Sequence, residues 1–258
     1  MDDLLQSRAA TGPAQVTDDG TSCGSLLGGR VRYEQPREGF RSGIEPVLLA
    51  AAVPARPGES VLEGGSGAGA ALLCLAVRVP GIRGLGVELD PNLTALARVN
   101  ATASNVDGVS FVAANLLTLR PPGVFDHAMA NPPYHSATGT ASPGPARELA
   151  KRGRPGLLRD WAAALVAALR HRGTLTLILS AVSLPEALDA MHTAGCRPTA
   201  ILPLWPVAGR RAKLILLRGV KDGRAPLQLL PGLVLHASSG GFTPETETVL
   251  RNAAAIQL

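Results

Sequence analysis

Aromatic residues and cysteines are scarce in this chain, and neither is spaced as in a specialised site. Phe, Trp and Tyr make up 3% of the 258 residues, so any ring beside a candidate site is notable; Trp161 and Trp205 are interpreted as packing residues. Cys23, Cys74 and Cys196 are far apart and form no CxxC pair. That spacing argues against a disulfide framework and a structural zinc site, and it fits a reducing compartment.

Signals for membranes, secretion and metal binding are also lacking. No apolar run reaches the ~20 residues of a transmembrane helix without a Gly, Pro or polar break. The chain begins Met1-Asp2-Asp3, which is acidic and unlike a signal peptide. The histidines have no metal-ligand spacing. We therefore expect a cytoplasmic protein without a membrane segment or a metal site.

The composition is rich in apolar residues and has a slight excess of positive charge. Hydrophobic residues make up 46% of the chain, which is enough for one large core. The 25 Lys and Arg outnumber the 20 Asp and Glu, and this balance mildly favours a polyanionic partner. Residues 1–24 predict a flexible tail. Residues 25–258 predict a single domain with an N-terminal entry segment, a core and a C-terminal extension at 25–57, 58–220 and 221–258.

Strand and helix patterns alternate from residue 60 onward, which predicts an α/β fold with a mostly parallel sheet covered by helices on both faces. The seven predicted core strands are 60–63, 84–88, 109–112, 124–130, 174–179, 199–204 and 213–217. The predicted helices are 46–53, 70–79, one begun by Asp90 and Pro91, 158–170, one capped by Ser183 and Glu186 that ends near 193, and one begun by Thr243 and Pro244. A hairpin limb at 26–33, a long loop at 135–155 and a strand at 233–236 complete the prediction.

Three glycines at alternate positions, Gly65, Gly67 and Gly69, lie between the first core strand and its helix. Missing Cβ atoms let a ligand approach the backbone, and the helix start offers free N–H groups. The run fits a loose dinucleotide fingerprint, but Glu63 would repel a pyrophosphate and attract an ammonium group. Glu88, which ends the second strand, suits the hydroxyls of a ribose. A ribose with a cationic tail indicates S-adenosylmethionine; a glycine-rich turn with an ion-paired Glu63 is the alternative.

Asn115 and Leu116 follow the third strand, where an adenine ring would dock. The Asn115 side chain suits the adenine edge, and the Leu116 side chain suits its face. Each residue also fits an ordinary loop.

The tetrapeptide Asn131-Pro132-Pro133-Tyr134 follows the strand at 124–130, and its prolines end the ladder. They stiffen a corner whose carbonyls the sheet does not use. Asn131 adds a side-chain acceptor and Tyr134 adds a flat ring. This set suits a planar group with an NH2, because two acceptors on its hydrogens free the nitrogen lone pair for attack. A plain strand-ending turn is the alternative.

These motifs, in this order, resemble those of class I amino-methyltransferases: the glycine run after Glu63, the sequence Glu88-Leu89-Asp90-Pro91, and the tetrapeptide. Residues 39–50, 140–147 and 202–213 are similar to segments of the bacterial family that methylates adenine 37 of a valine tRNA. The resemblance spans about residues 25 to 250. Its motifs are shared with enzymes that methylate DNA, rRNA or protein glutamine, and the flanking segments favour tRNA.

The resemblance implies a Rossmann-like class I methyltransferase fold, S-adenosylmethionine as the cofactor and tRNA as the partner. It implies that Glu63 and the glycines hold the methionine end, and that Glu88 holds the ribose. It further implies that Asn131 and the carbonyl of Pro132 hold the target amino group while Tyr134 stacks on the base.

Two residues depart from the family pattern. Asn115 stands where an acid is usual, which affects the adenine contact, and Glu63 replaces the commoner Asp, which changes the reach of the side chain.

Basic clusters are the candidate contacts to RNA phosphates, although each alone also fits a solvated surface. The candidates are Arg41, Lys151, Arg152, Arg154, Arg210, Arg211 and Lys213. The predicted reaction is a direct in-line transfer that needs positioning and hydrogen bonds but neither a metal nor a covalent intermediate. The target base must be unstacked, as in an anticodon loop.

Other functions stay open at this point. The acceptor could be guanine N2 in rRNA, adenine N6 in DNA or a glutamine amide in a protein, since each presents a planar amino group. A non-catalytic RNA-binding protein of the same fold is a further alternative, and a nicotinamide-dependent dehydrogenase ranks last because of Glu63. Monomer and homodimer are equally compatible with the sequence.

Overall fold

The computed structural model describes residues 15–16, 20–37, 43–119, 123–133 and 156–258. The predicted long loop, Arg41, Tyr134, Lys151, Arg152 and Arg154 lie outside the described residues. None of the helices within these ranges has the length and apolar character needed to cross a lipid bilayer.

A nine-stranded sheet forms the centre of the molecule. Its strands are β4 (Ser60–Gly64), β5 (Arg83–Glu88), β6 (Val109–Ala113), β7 (Phe125–Ala130), β8 (Leu169–Ser180), β9 (Cys196–Val207), β10 (Leu214–Lys221), β11 (Gln228–Leu229) and β12 (Leu233–His236). The order is β11-β9-β10-β8-β7-β4-β5-β6, with β12 also paired to β9. Only β10 runs antiparallel to its neighbours, β8 and β9. The predicted seven core strands are therefore confirmed, and β11 and β12 extend the sheet along β9.

Six helices cover the two faces of the sheet in the described ranges: α1 (Glu45–Ala52), α2 (Ala70–Arg78), α3 (Pro91–Ala103), α4 (Leu157–Ala168), α5 (Leu184–Thr193) and α6 (Pro244–Asn252). One apolar cluster joins the sheet to α1, α2, α3 and α6, and a second joins it to α4 and α5. Neighbouring strand residues alternate between them: Val61 belongs to the first and Leu62 to the second. This alternation is what a sheet buried on both faces requires.

Helix starts agree with the predicted capping at two of three places. The Asp90 side chain accepts from the Asn92 N–H at 2.8 Å before α3, and Thr243 accepts from the Thr246 N–H at 3.2 Å before α6. The predicted capping box at Ser183 is wrong, because Ser183 has helical angles and its side chain makes no cap hydrogen bond. A 3-10 turn, Ala181–Ser183, leads directly into α5 and leaves no extended cap residue there.

The predicted helix at 158–170 also needs correction. Helix α4 ends at Ala168, and Leu169 and Arg170 already belong to β8, which begins earlier than the predicted 174. The antiparallel partner β10 pairs with β8 from Ser180 back to Thr174, and β7 pairs with Leu169. Partners that are distant in the chain thus determine the length of this strand.

A separate three-stranded sheet precedes the domain core and begins inside the predicted tail. It consists of β1 (Gln15–Val16), β2 (Thr21–Leu26) and β3 (Val31–Pro36), paired antiparallel in that order. The predicted hairpin limb at 26–33 contains the turn, a 3-10 segment at Leu27–Gly29. Residues 21–24, which the composition predicts to be flexible, are strand because β3 supplies their backbone partners.

The amino-terminal edge of the large sheet is fixed by polar side chains. His127 contacts Glu59 through Nε2 and Thr174 through Nδ1, each at 2.8 Å. Asp126 accepts from the N–H of Ser60 at 2.7 Å, and its other oxygen lies 2.7 Å from Arg170. These groups connect β4, β7 and β8 at the amino-terminal ends of the strands, opposite the end of the sheet that carries the predicted site.

Candidate active site

Three predicted site residues stand in a row at the carboxyl ends of adjacent parallel strands. Gly64 of β4 lies opposite Val87 of β5 on one side and Ala130 of β7 on the other. The next residues along the three strands are Glu88, Gly65 and Asn131. Adjacent strands are about 4.8 Å apart, so the register alone makes these residues neighbours.

The same row lies where the connections after two adjacent strands lead to helices on opposite faces of the sheet. The connection after β4 leads to α2 on one face, and the helix after β7, α4, packs on the other. A crevice opens at such a switch point in open parallel sheets and is the usual ligand site. The sequence motifs and the topology therefore indicate the same place.

The glycine loop needs glycine for two physical reasons. Gly65 and Gly67 have φ values of +66° and +54°, which side chains rarely adopt. A Cβ on Gly65 would lie 2.6 Å from Cη2 of Trp161, whereas a Cβ on Gly67 would have no heavy atom within 4 Å. One side of the loop is thus closed by an indole ring, and the Gly67 side is open.

Phe111 of β6 fills the space behind the loop. Its ring would lie 2.9 Å from a Cβ on Gly69 and 2.4 Å from a Cβ on Gly86. The ring is 3% exposed and belongs to the cluster on the α1–α3 face. The loop therefore rests on an aromatic side chain that the sequence patterns did not single out.

Glu88 is held by backbone N–H groups on both of its oxygens. Oε2 accepts from Gly67 at 2.8 Å and Oε1 accepts from Asp90 at 2.9 Å. Each carboxylate oxygen has a further lone pair, so the group can also accept from ligand hydroxyls. The loop and the end of β5 consequently form one hydrogen-bonded unit.

Glu63 is a buried acid on the α2 side of β4. It is 3% exposed, and its Oε2 accepts from the N–H of Leu72 at 3.1 Å. Burial raises the pKa of Glu63 well above its usual value, and the nearby Glu88 acts in the same direction, against the Leu72 hydrogen bond. Within the described ranges no basic side chain pairs with it, so the ion-paired alternative gains no support.

Asn115 and Leu116 differ in exposure. Asn115 is exposed, and its Oδ1 accepts from the Leu117 N–H at 2.9 Å, which forms a tight turn after β6. Leu116 is 5% exposed and packs on Gly64, which leaves it little surface for an adenine ring. Leu89, which the sequence reasoning did not select, is 69% exposed immediately after Glu88. The sequence feature that could have identified Leu89 is its position as an apolar residue in the otherwise polar turn between β5 and α3.

The described part of the tetrapeptide turns away from the sheet at the predicted point. β7 ends at Ala130, Asn131 and Pro133 are half-buried, and Pro132 is buried. Asp126, the acid at the start of β7, is held at the opposite edge by Ser60 and Arg170. The corner thus contains an amide side chain and two prolines beside the glycine loop.

Of the basic candidates, Arg210, Arg211 and Lys213 lie in the described ranges, and all three are exposed. They stand between the end of β9 and the start of β10, which is the same sheet edge as Asn131. The Lys213 carbonyl accepts from the Ala181 N–H at 2.8 Å, which ties this loop to the turn after β8. Because β10 is two strands from β7, the lateral separation is roughly 10 Å.

Metal-ligating groups are not assembled in the part of the chain that the structure describes: no cluster of three or more His, Cys, Asp or Glu side chains occurs there. His127 and His236 are buried, and His171 and His192 are exposed, while His135 lies outside the described residues.

A family model described as the methyltransferase small domain matches residues 45–181. The chain belongs to the methyltransferase small domain family. The matched region runs from α1 to the turn after β8 and contains the glycine loop, Glu88 and the tetrapeptide. The enzyme is accordingly an S-adenosylmethionine-dependent methyltransferase.

Two named proteins and a solved structure are similar to the chain. The tRNA1(Val) (adenine(37)-N6)-methyltransferase of Aeromonas hydrophila is 30% identical over 212 residues, which cover 81% of this chain and 88% of that protein. The release factor glutamine methyltransferase of Deinococcus radiodurans is 34% identical over 142 residues, which cover 52% of this chain and 50% of that protein. A solved structure from Agrobacterium tumefaciens, described as a predicted O-methyltransferase, has a TM-score of 0.68 at 24% identity and covers 83% of this chain and 99% of its own.

The methyltransferase residues at the crevice fit S-adenosylmethionine chemically. The buried Glu63 carboxyl group, which has no cationic partner in the described ranges, can accept from a ligand ammonium group, and the fixed Glu88 suits ribose hydroxyls. Gly67 leaves open space, and the buried hydroxyl of Ser66 has no partner among the described residues. The cofactor supplies an electrophilic methyl group on a sulfonium, and the loop glycines, Glu63 and Glu88 are the residues that would hold it.

Proposed function

We propose that this methyltransferase transfers a methyl group to the exocyclic N6 of an adenine in tRNA, of the type at position 37 in the anticodon loop. The observation that carries the proposal is the row of Glu88, Gly65 and Asn131, which sets an amide corner directly beside the cofactor loop. The choice of tRNA is supported by the Aeromonas hydrophila relative, which is 30% identical over most of both chains.

Catalysis at this corner rests on two acceptors. The Asn131 side chain and the Pro132 carbonyl accept the two N–H hydrogens of the target amino group and orient its nitrogen lone pair toward the cofactor loop. Aligning the two reacting atoms removes much of the entropic barrier of a bimolecular step. Asp126 is bound at the far end of β7. No carboxylate adjoins the tetrapeptide in the sequence either, so we infer that the proton leaves to water after attack without a dedicated base.

Cofactor and base contacts complete the proposed site. Glu63 and the loop glycines bind the methionine end, Glu88 binds the ribose, and Asn115 bonds the edge of the cofactor's adenine. We assign Leu89 to the face of that adenine, because its side chain is exposed beside Glu88. Tyr134 stacks on the target base that leaves the anticodon loop.

The RNA surface of the proposed site extends along the same sheet edge. Arg210, Arg211 and Lys213 lie there, roughly 10 Å to the side of Asn131, and suit backbone phosphates. Arg41, Lys151, Arg152 and Arg154 remain further candidates. A cytoplasmic location accompanies the proposal, since tRNA is modified there.

Nucleoside analysis of tRNA after reaction tests the substrate directly. An unmodified transcript with adenine 37, incubated with enzyme and S-adenosylmethionine, should yield N6-methyladenosine by mass spectrometry. The matched transcript with guanine 37 should yield none, and Asn131→Ala should lose the product while it still binds the cofactor. Methylation confined to DNA, to rRNA or to protein would contradict the substrate assignment.

A glutamine amide in a protein is the second candidate acceptor. It is favoured by the 34% identity to the Deinococcus radiodurans enzyme over 142 residues, although the chain spans only half of that relative. The amide presents the same planar NH2 to Asn131 and Pro132. Incubation with a release factor in place of tRNA, followed by peptide mass spectrometry, separates the two candidates.

A further inference from the structure

Two pairs of hydrogen bonds join the backbone of β3 in the N-terminal sheet to side chains at the C-terminal end of helix α3. We call these four bonds a ladder. The N–H of Glu34 donates to Oδ1 of Asn100 at 2.9 Å, and Nδ2 of Asn100 donates to the Glu34 carbonyl at 2.9 Å. Two residues earlier on β3, Arg32 makes the equivalent pair of bonds with Oγ of Ser104, each at 3.0 Å. Side chains one helical turn apart thus take the place of a neighbouring strand.

The spacings explain why this ladder fits. Along a helix axis, residues i and i+4 are about 6 Å apart. Along a strand, residues i and i+2 are about 6.8 Å apart. Asn100 and Ser104 therefore meet Glu34 and Arg32 in register. The N–H and carbonyl groups of Arg32 and Glu34 at the outer edge of β3 are thus hydrogen-bonded without another strand.

Asn100 has one contact that Ser104 lacks. Its Nδ2 also donates to the carbonyl of Ala68, in the glycine loop, at 3.0 Å. Asn100 is 1% exposed and Ala68 is 4% exposed, so this bond is shielded from water. The N-terminal sheet and the cofactor loop consequently share one buried amide side chain.

The Ala68 carbonyl belongs to the peptide unit that shapes the loop. At the other end of that unit, the N–H of Gly69 donates to the Ser66 carbonyl at 2.8 Å and closes a turn around Gly67. Gly67 in turn donates to Glu88. Asn100 and Ser66 therefore hold the Ala68–Gly69 peptide plane from both ends and fix how Gly67 faces the crevice.

We propose that Asn100 is a positioning residue for cofactor binding, through which the docked N-terminal sheet pre-organises the glycine loop. The inference rests on the glycine loop as the S-adenosylmethionine site. A loop already in its bound conformation loses less conformational entropy when the ligand binds. The affinity for S-adenosylmethionine then depends on β3, although β3 belongs to a different sheet from the row of Glu88, Gly65 and Asn131.

The test compares Asn100→Ala with Ser104→Ala in the full chain. Both remove an anchor of β3, but only the first removes the bond to Ala68. Calorimetric titration should give a dissociation constant for S-adenosylmethionine about tenfold higher in Asn100→Ala, the equivalent of about 1.4 kcal/mol, and within about twofold of wild type in Ser104→Ala. The kcat at saturating cofactor should stay within about twofold in both variants, because the reacting groups are untouched. Equal effects of the two variants on the dissociation constant would overturn the proposal, and so would an unchanged constant in Asn100→Ala.

A second measurement needs no variant and covers the case in which Asn100→Ala does not fold. Addition of S-adenosylhomocysteine to the wild-type enzyme should slow hydrogen exchange of the Glu34 amide, which Asn100 holds, more than that of the Arg32 amide, which Ser104 holds. Equal exchange before and after addition at both amides would overturn the proposal. Glu88→Ala distinguishes an error in the cofactor site from an error in the role of Asn100. If Glu88→Ala leaves the dissociation constant for S-adenosylmethionine unchanged, the glycine loop is not the cofactor site. If Glu88→Ala weakens binding and Asn100→Ala does not, the role of Asn100 alone is refuted.

Discussion

The N–H of Gly67 donates a 2.8 Å hydrogen bond to Oε2 of Glu88, which joins the glycine loop to the end of the neighbouring strand. The other oxygen of Glu88 is held by the Asp90 N–H at 2.9 Å, at the start of α3. The carboxylate is thus oriented before any ligand binds. A carboxylate fixed in this way loses little rotamer freedom when it accepts from a ribose.

Glu88→Gln should weaken cofactor binding. The change replaces a charged carboxylate, which only accepts hydrogen bonds, with a neutral amide whose nitrogen donates. Hydrogen bonds to charged groups contribute about 1.5–3 kcal/mol. We expect a dissociation constant for S-adenosylmethionine about tenfold or more above wild type, measured by calorimetry. Asp107→Asn, at the opposite edge of the sheet, is the matched control and should bind normally. Normal binding by Glu88→Gln would remove the ribose assignment.

Gly67→Ala and Gly58→Ala form a matched pair. Both glycines have positive φ, +54° and +87°, and neither Cβ would meet a heavy atom within 4 Å. Both changes should therefore destabilise the fold by a similar amount, about 1–2 kcal/mol. Only Gly67→Ala should also weaken cofactor binding, because its methyl group would project into the crevice. Thermal unfolding and calorimetric titration measure the two effects separately, and equal cofactor affinities would argue that the crevice lies elsewhere.

Asn131→Ala should lower kcat strongly and leave cofactor binding intact. Loss of one oriented hydrogen-bonding group at a reacting centre costs about 10²–10³ in rate. The dissociation constant for S-adenosylmethionine should remain within about twofold, since the loop and Glu88 are unchanged. Asn92→Ala, on the exposed start of α3, serves as the control. A parallel loss of cofactor affinity in Asn131→Ala would instead indicate a structural role for this corner.

Arg210 and Arg211 should contribute to tRNA affinity in a salt-dependent way. Removing a side chain that neutralises one phosphate reduces the slope of log K against log salt by about 0.7 to 0.9. The double change to Gln should lower both the affinity and this slope. Arg172 and Arg224 carry the same charge beyond the opposite edge of the sheet, so their double change to Gln should have a much smaller effect. Filter binding at several salt concentrations distinguishes the two pairs; equal slopes would point to nonspecific attraction.

His127 should make stability depend on pH. Burial lowers its pKa from the ordinary 6.5, although the hydrogen bond with Glu59 opposes that shift. Between pH 6.5 and the lower folded-state pKa, the unfolded chain binds more protons at this residue than the folded one. The free energy of unfolding should therefore fall as the pH drops from about 7 toward 5. Urea denaturation of His127→Asn should show a shallower pH dependence, whereas His192→Asn, on an exposed position of α5, should match wild type.

Local chemistry in the sequence predicts several local features of the candidate site, whose roles in binding and catalysis stay predictions. The three glycines, Glu88 at the end of β5 and the prolines after β7 each act on their own backbone, so a linear pattern reveals them. The caps at Asp90 and Thr243 are local for the same reason. Their mutual positions follow from the pairing of β4 with β5 and β7, which the structure provides.

Other features depend on partners that are distant in the chain. The early start of β8 requires its pairing with β7, and the strand at residues 21–26 requires β3. Burial of Leu116 against Gly64 and Leu165 is set by tertiary packing that no pattern near residue 116 records. The bonds of Asn100 to Glu34 and Ala68 are invisible in sequence, because an Asn within an amphipathic helix normally indicates only an exposed position.

The ring of Phe111 occupies the volume that Gly69 and Gly86 leave empty, on two different segments of the chain. A methyl group at residue 86 would approach that ring to 2.4 Å and the Ser66 Oγ to 2.8 Å, so position 86 can enlarge only if the Phe111 ring gives way. Residues 69, 86 and 111 are thus sterically coupled. A library that randomises them together should recover active combinations that stepwise selection never reaches.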